Sequence, residues 1–206
     1  MTGDDPIAAA LLSESAYERV RYQRFGWFKQ PVTRKLTLQS HLLHLLAGVL
    51  PVLALLPPDI RSAYFGGSVA AAAPKVGVVA LVAVGVVAAA GVGLVGVGTI
   101  RLARGDDFDE HTAHSVLDFE DLCSMAGLAT GGIATVATYA FVLMGFGGVE
   151  TVRAWVAVGG GNPYAPTAVG PTVATVAVTA LALGVCLRVA AAYLHACSIE
   201  AAGVDL

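Results

Sequence analysis

The chain has 206 residues, 56% hydrophobic and only 13% charged, with 12 basic and 15 acidic side chains and a net charge of −3. Soluble domains carry about 25% charged residues, so this composition excludes an ordinary soluble globule, and the acidic balance argues against a nucleic-acid partner, which needs a basic surface. The cysteines, Cys123, Cys186 and Cys197, form no CxxC pair and imply no disulfide framework.

The start, "MTGDDPIAAALLSESAYERV", has no basic n-region, and Ser13 and Glu14 break its short apolar stretch, so it does not read as a signal peptide. Asp5 as N-cap and Pro6 at the first helical position predict an amphipathic helix. Phe25, Trp27 and Phe28 then stand among Arg and Lys, the composition of an interfacial belt. Residues 1–35 are therefore expected to rest on the inner leaflet.

About 20 apolar residues cross a hydrocarbon layer of ~30 Å as helix. Four runs meet that length: 36–56, 76–102, 122–148 and 168–196. The expected fold is all-α: an integral membrane four-helix bundle over 36–196, with four transmembrane helices and the N-terminal amphipathic interfacial helix before them. An acidic loop at 103–121 and a short tail at 197–206 complete it. Nine basic residues (Arg19, Arg21, Arg24, Lys29, Arg34, Lys35, Arg101, Arg104, Arg188) fall on one side, against Arg61, Lys75 and Arg153 on the other. The positive-inside rule then places both termini and the acidic loop in the cytoplasm of a multi-pass cell-membrane protein.

"GVGLVGVG", Gly91 to Gly98, matches the dinucleotide fingerprint G-x-G-x-x-G. That fingerprint needs a strand turning into a helix, and here it lies inside a charge-free span. The expectation is instead a smooth packing face of Gly85, Ala89, Gly93 and Gly96. In span 3, Gly127 and Gly131 form a GxxxG continued by Thr135 and Thr138, again a packing face, within the bundle or across a homo-oligomer.

Histidine is the main lead to chemistry. Thr37, His41, His44, Gly48 and Pro51 fall on one stripe of span 1, expected to face the bundle. His111 and His114 lie in the acidic loop, and His195 ends span 4. Ionisable groups within spans are costly and mark function or an internal partner. Were these clusters to converge, His41, His44, Glu110, His111, His114 and His195 would offer ligands to a transition metal, and His44 with His195 would be the pair for a haem b.

As a helix, Asp106 to Asp121 puts Asp107, Glu110, His114, Asp118 and Asp121 on a wet face, with Phe108, Val116, Phe119 and Cys123 opposite. The acidic face is expected to stay solvated or to dock on the basic N-tail. No nucleophile elbow, P-loop or kinase motif occurs, and no carboxylate falls inside a span, as proton-coupled transport requires. The leading expectation is a non-catalytic structural or accessory subunit that binds other membrane proteins, or further copies of itself, in the lipid bilayer. A haem- or metal-binding redox subunit is the alternative, and a small-solute transporter or channel component the third.

Overall fold

A computed structural model describes residues 19–20, 30–105, 107–168 and 170–201. The N-terminal helix expected from Pro6 and the aromatic belt at Phe25 to Phe28 lie outside these residues, except that Arg19 and Val20 are helical. The described residues are helical, with no strand beyond an isolated bridge between Pro74 and Pro166. Among the described residues, four helical stretches are long and apolar enough to cross a membrane: Val32–Ala54, Lys75–Arg104, Glu110–Ala157 and Val173–Glu200.

The first stretch comprises α1 (Val32–Ala47) and α2 (Val49–Ala54), parted at Gly48. Pro51 explains the break, because its ring meets the carbonyl four residues back. Tyr139 donates to the Leu45 carbonyl beside this break at 2.6 Å. A Cβ on Gly48 would lie 2.9 Å from that same hydroxyl. After the short α3 (Pro58–Phe65), α4 (Lys75–Arg104) runs unbroken for 30 residues, about 45 Å at 1.5 Å per residue. It stops at Gly105, whose φ of 55° suits glycine, and Arg101 and Arg104 in its last turn oppose the negative end of the helix dipole.

The acidic segment is α5 (Glu110–Ser124), capped by Asp109, which accepts from the Thr112 backbone N–H at 3.3 Å. Hydrogen bonds from the Thr112 side chain and backbone hold the Asp109 carboxyl below the usual range. α5 passes through a π-helical turn, Met125–Thr130, into α6 (Gly131–Met144). A 3-10 turn at Gly145–Gly147 and the positive φ of Gly148 (79°) then redirect the chain into α7 (Gly148–Ala157). Pro166 and Pro171 delay the last helix beyond the expected 168, so α8 is Val173–Ala201.

Pairwise contacts set the topology. Lys35, Gln39 and Leu45 meet Glu120, Cys123 and Tyr139 in the same order, so α1 and α5–α6 run parallel. Gly91 and Gly98 pack on Leu187 and Leu194, so α4 and α8 also run parallel. The chain direction makes the two pairs antiparallel, up-down-up-down. Residues 30, 105, 107–109 and 201 therefore share one end, and residues 55–74, 158–168 and 170–172 share the other.

The glycine faces differ from expectation in one helix and agree in another. On α4, Gly85 and Gly96 have open space before them and Ala89 is exposed, while Gly91 and Gly98 approach α8 and Gly93 meets Cys123 and Phe119. The packing face is thus rotated from the one expected, because the large residues Val84, Val87 and Leu94 turn inward with Gly91. The GxxxG of the third stretch packs inside the bundle, Gly127 against Gln39 and Ala90 and Gly131 against Val87.

The loop end is closed by a second apolar cluster that includes Leu53, Leu56, Ile60, Phe65, Val152 and Tyr164. Tyr164 is fully buried, donates to the Phe141 and Val142 carbonyls at 2.7 and 3.0 Å, and stacks near Tyr64 and Phe65. Burial pushes its phenol up to about 12. Asp59 of α3 accepts from the Val149 N–H at 3.4 Å, at the positive end of α7.

Candidate functional site

Polar groups buried in an apolar bundle need partners, and here they gather near the end that holds residues 30 and 201. From α1, Lys35, Gln39 and Ser40 turn inward beside Leu36 and Leu43, since positions 35, 36, 39, 40 and 43 lie on one helical face. From α5, Glu120 and Ser124 continue the face begun by Ala113 and Leu117. The two faces meet in an ion pair, Lys35 Nζ to Glu120 Oε1 at 2.6 Å, with side chains 1% and 5% exposed. Lys35, at the start of α1, thus meets α5 through this pair, and Glu120 lies off the acidic face that was expected to dock.

One turn further along α1, Gln39 Nε2 donates to the Cys123 carbonyl at 3.4 Å, at the entry to the π turn. Its Oε1 is buried without a hydrogen-bond partner. Gly91 and Gly127 make room for the amide: a Cβ on Gly91 would lie 3.1 Å from Oε1, and one on Gly127 would overlap Nε2. Ser124 Oγ donates to the Glu120 carbonyl at 2.6 Å, and Ser40 Oγ donates across to Gly184 of α8 at 2.9 Å. The cluster ties α1 to both α5 and α8.

The inward face of α5 is therefore Ala113, Leu117, Glu120 and Ser124, joined by Cys123. Phe119, expected inside, is 49% exposed. Glu120, placed in the loop from sequence, is buried in the bundle. Its face was readable: Ala113, Leu117, Glu120 and Ser124 follow 4, 3, 4 spacing with one acid among small or apolar residues. Nothing in the local pattern of α1 named Lys35 as the partner.

The histidines stay outside the buried core. His41, His111, His114 and His195 are exposed. His44 is half-buried, its Nδ1 2.6 Å from the Ser40 carbonyl, with Gly184 beside the ring. The stripe from Thr37 to Pro51 thus lies at the rim of the packed face of α1. Among the described residues, no group of three or more His, Cys, Asp or Glu side chains is placed to hold a metal ion. His44 faces Gly184, and His195 lies eleven residues further along α8, about 16 Å by helical rise. This geometry gives no support to a haem held between them.

The threonines of α6 offer no polar path. Thr135 and Thr138 are buried, and their hydroxyls turn back on the Gly131 and Ala134 carbonyls, each at 2.8 Å. A charge-neutral ion pair, an amide and the Ser40 hydroxyl can fix helix register. No protein-family model, curated protein or solved structure matches this chain.

Proposed function

We propose that the protein is an integral membrane four-helix bundle that serves as a non-catalytic structural or accessory subunit, joined to partner membrane proteins or to copies of itself. The outer surface supports a bilayer setting: Val82, Val92, Ile133, Val136 and Val178 are among the large apolar side chains it exposes, and a surface so apolar is foreign to soluble monomers. The basic bias of the sequence supports a cytoplasmic position for the end that holds residues 30 and 201.

The observation that carries the subunit reading is the exposed face of α4 on which small residues flank Val92. Gly85 and Gly96 have nothing within 4 Å of a built Cβ, and Ala89 between them is exposed. Small residues let helices approach closely in a membrane, and the comparable small face of Gly127 and Gly131 is already occupied within the chain.

Blue-native electrophoresis of mildly solubilised membranes tests this. The wild type is expected in an assembly larger than one chain, and Gly85→Leu with Gly96→Leu is expected to release it as a folded monomer. A wild type that migrates alone, or a double variant that stays assembled, overturns the reading. Orientation is checked by cysteine labelling on intact cells, with native cysteines replaced by alanine: Ser68→Cys is expected to react from outside and Ser115→Cys to be protected.

A further inference from the structure

We infer that the groove between the start of α1 and the last turns of α8 binds the phosphate of an anionic phospholipid, with the acyl chains lying along the same two helices. The inference rests on the membrane reading above. The groove, about 360 Å³, is lined by Thr33, Arg34, Thr37, Arg188, Ala192 and His195. Arg34, Arg188 and His195 are exposed, and among the described residues no acid pairs with either guanidinium. Two arginines on neighbouring helices therefore face one groove with their donors uncommitted, and guanidinium suits phosphate oxygens in a bidentate fork. Basic pockets between helices on the cytoplasmic side have this character.

The surface below the cations decides between a lipid and a free phosphate. On α1, Arg34, Leu38, His41 and Leu45 follow 4, 3, 4 spacing and share a face. On α8, Leu181, Val185, Arg188, Ala192 and His195 do the same. Leu38, Leu45, Leu181 and Val185 are all exposed. Each helix thus presents cations toward one end and apolar side chains beyond them, which matches an amphiphile and gives inorganic phosphate nothing further to bind.

The depth agrees. A ~30 Å hydrocarbon layer entered at Val173 ends about twenty residues on, near 193. His195 then sits at the headgroup level, and Arg188 lies about 7 Å inside, within reach of the headgroups by snorkelling.

Native mass spectrometry of the full chain in mild detergent tests the inference, with phosphatidylglycerol, phosphatidylcholine and inorganic phosphate as probes. Phosphatidylglycerol is expected to be retained over phosphatidylcholine, and millimolar inorganic phosphate is expected not to displace it. Arg34→Gln and Arg188→Gln should each weaken retention about five-fold and together about 25-fold, while Arg61→Gln, at the opposite end, should leave it unchanged. Ala192→Trp fills the groove at an exposed position without altering charge, so it should abolish retention even if the arginine variants fold poorly.

Three outcomes overturn the proposal: undiminished retention in the folded double variant or in Ala192→Trp, equal retention of phosphatidylcholine, or displacement by inorganic phosphate. Carbonate extraction separates this failure from that of the membrane reading. Release of the chain from membranes sinks both, whereas a chain that stays in the membrane yet retains no phosphatidylglycerol sinks this inference alone.

Discussion

The two ends of the bundle are closed by different physics. At the end that holds residues 30 and 201, a buried ion pair, an amide and Ser40 hold α1 to α5 and α8. At the loop end, Tyr164 fills an aromatic pocket and donates its hydroxyl to two carbonyls of α6, with no charged side chain buried there among the described residues. The polar end gains orientation more than stability, because desolvating two ions offsets much of their attraction. The aromatic end gains burial with little desolvation cost. One end should fail when a single partner is removed, the other in proportion to the volume lost.

The largest expected effect is on the polar end. Lys35→Met leaves Glu120 buried without its ammonium and should cost about 3–5 kcal/mol, measured by denaturation in mild detergent. Lys35→Met with Glu120→Leu should recover most of that loss. A double variant as unstable as the single would show that the pair adds net stability, and the contrast between the ends would shrink.

At the aromatic end, Tyr164→Ala should cost about 3–5 kcal/mol and have no second-site rescue of that kind. Tyr164→Phe keeps the volume and should cost only about 1 kcal/mol. The same variant has a pH signature. An unfolded tyrosine ionises near pH 10, whereas Tyr164 keeps its proton to about 12. Its contribution is complete below pH 10 and is lost as pH rises toward 12. Tyr164→Phe should remove that alkaline slope, and an unchanged slope would mean the phenol is hydrated.

Between the ends, Gly131→Leu should cost about 1–3 kcal/mol by overpacking against Val87. Gly85→Leu, at an open position of α4, should leave the isolated chain within about 0.5 kcal/mol of wild type. Equal effects would mean that the open face is closed within the monomer. The smallest effect belongs to Asp59→Ala, which removes the carboxylate at the α7 N-terminus and should cost about 0.3–1 kcal/mol in a thermal melt.

Much of the architecture was legible because bilayer-length apolar runs carry a coarse signal. The stretches beginning at Val32, Lys75 and Val173 start within about five residues of expectation, and the third was extended only by including α5 and α7. The candidate site was legible in halves. Residues 113, 117, 120 and 124 of α5 reveal an inward acid by spacing, and Lys35 stands in the basic N-tail like its exposed neighbour Arg34. Ion pairing across 85 residues leaves no local trace. The histidines of α1, α5 and α8 were harder to read for the converse reason: shared placement toward one end of the bundle does not fix rotation about each helix axis.

Composition and period thus determined that the chain is helical, that four stretches can cross a membrane, and that small residues line their faces. These follow from the length of apolar runs and the helical repeat, which each segment carries within itself. The tertiary structure decided which faces turn inward, that Glu120 meets Lys35, that Tyr164 closes the opposite end, and that no histidine enters the core. Such rotations depend on how side chains of all four helices interlock, and a rotation of 100° per residue lets one position separate a core acid from a wet one.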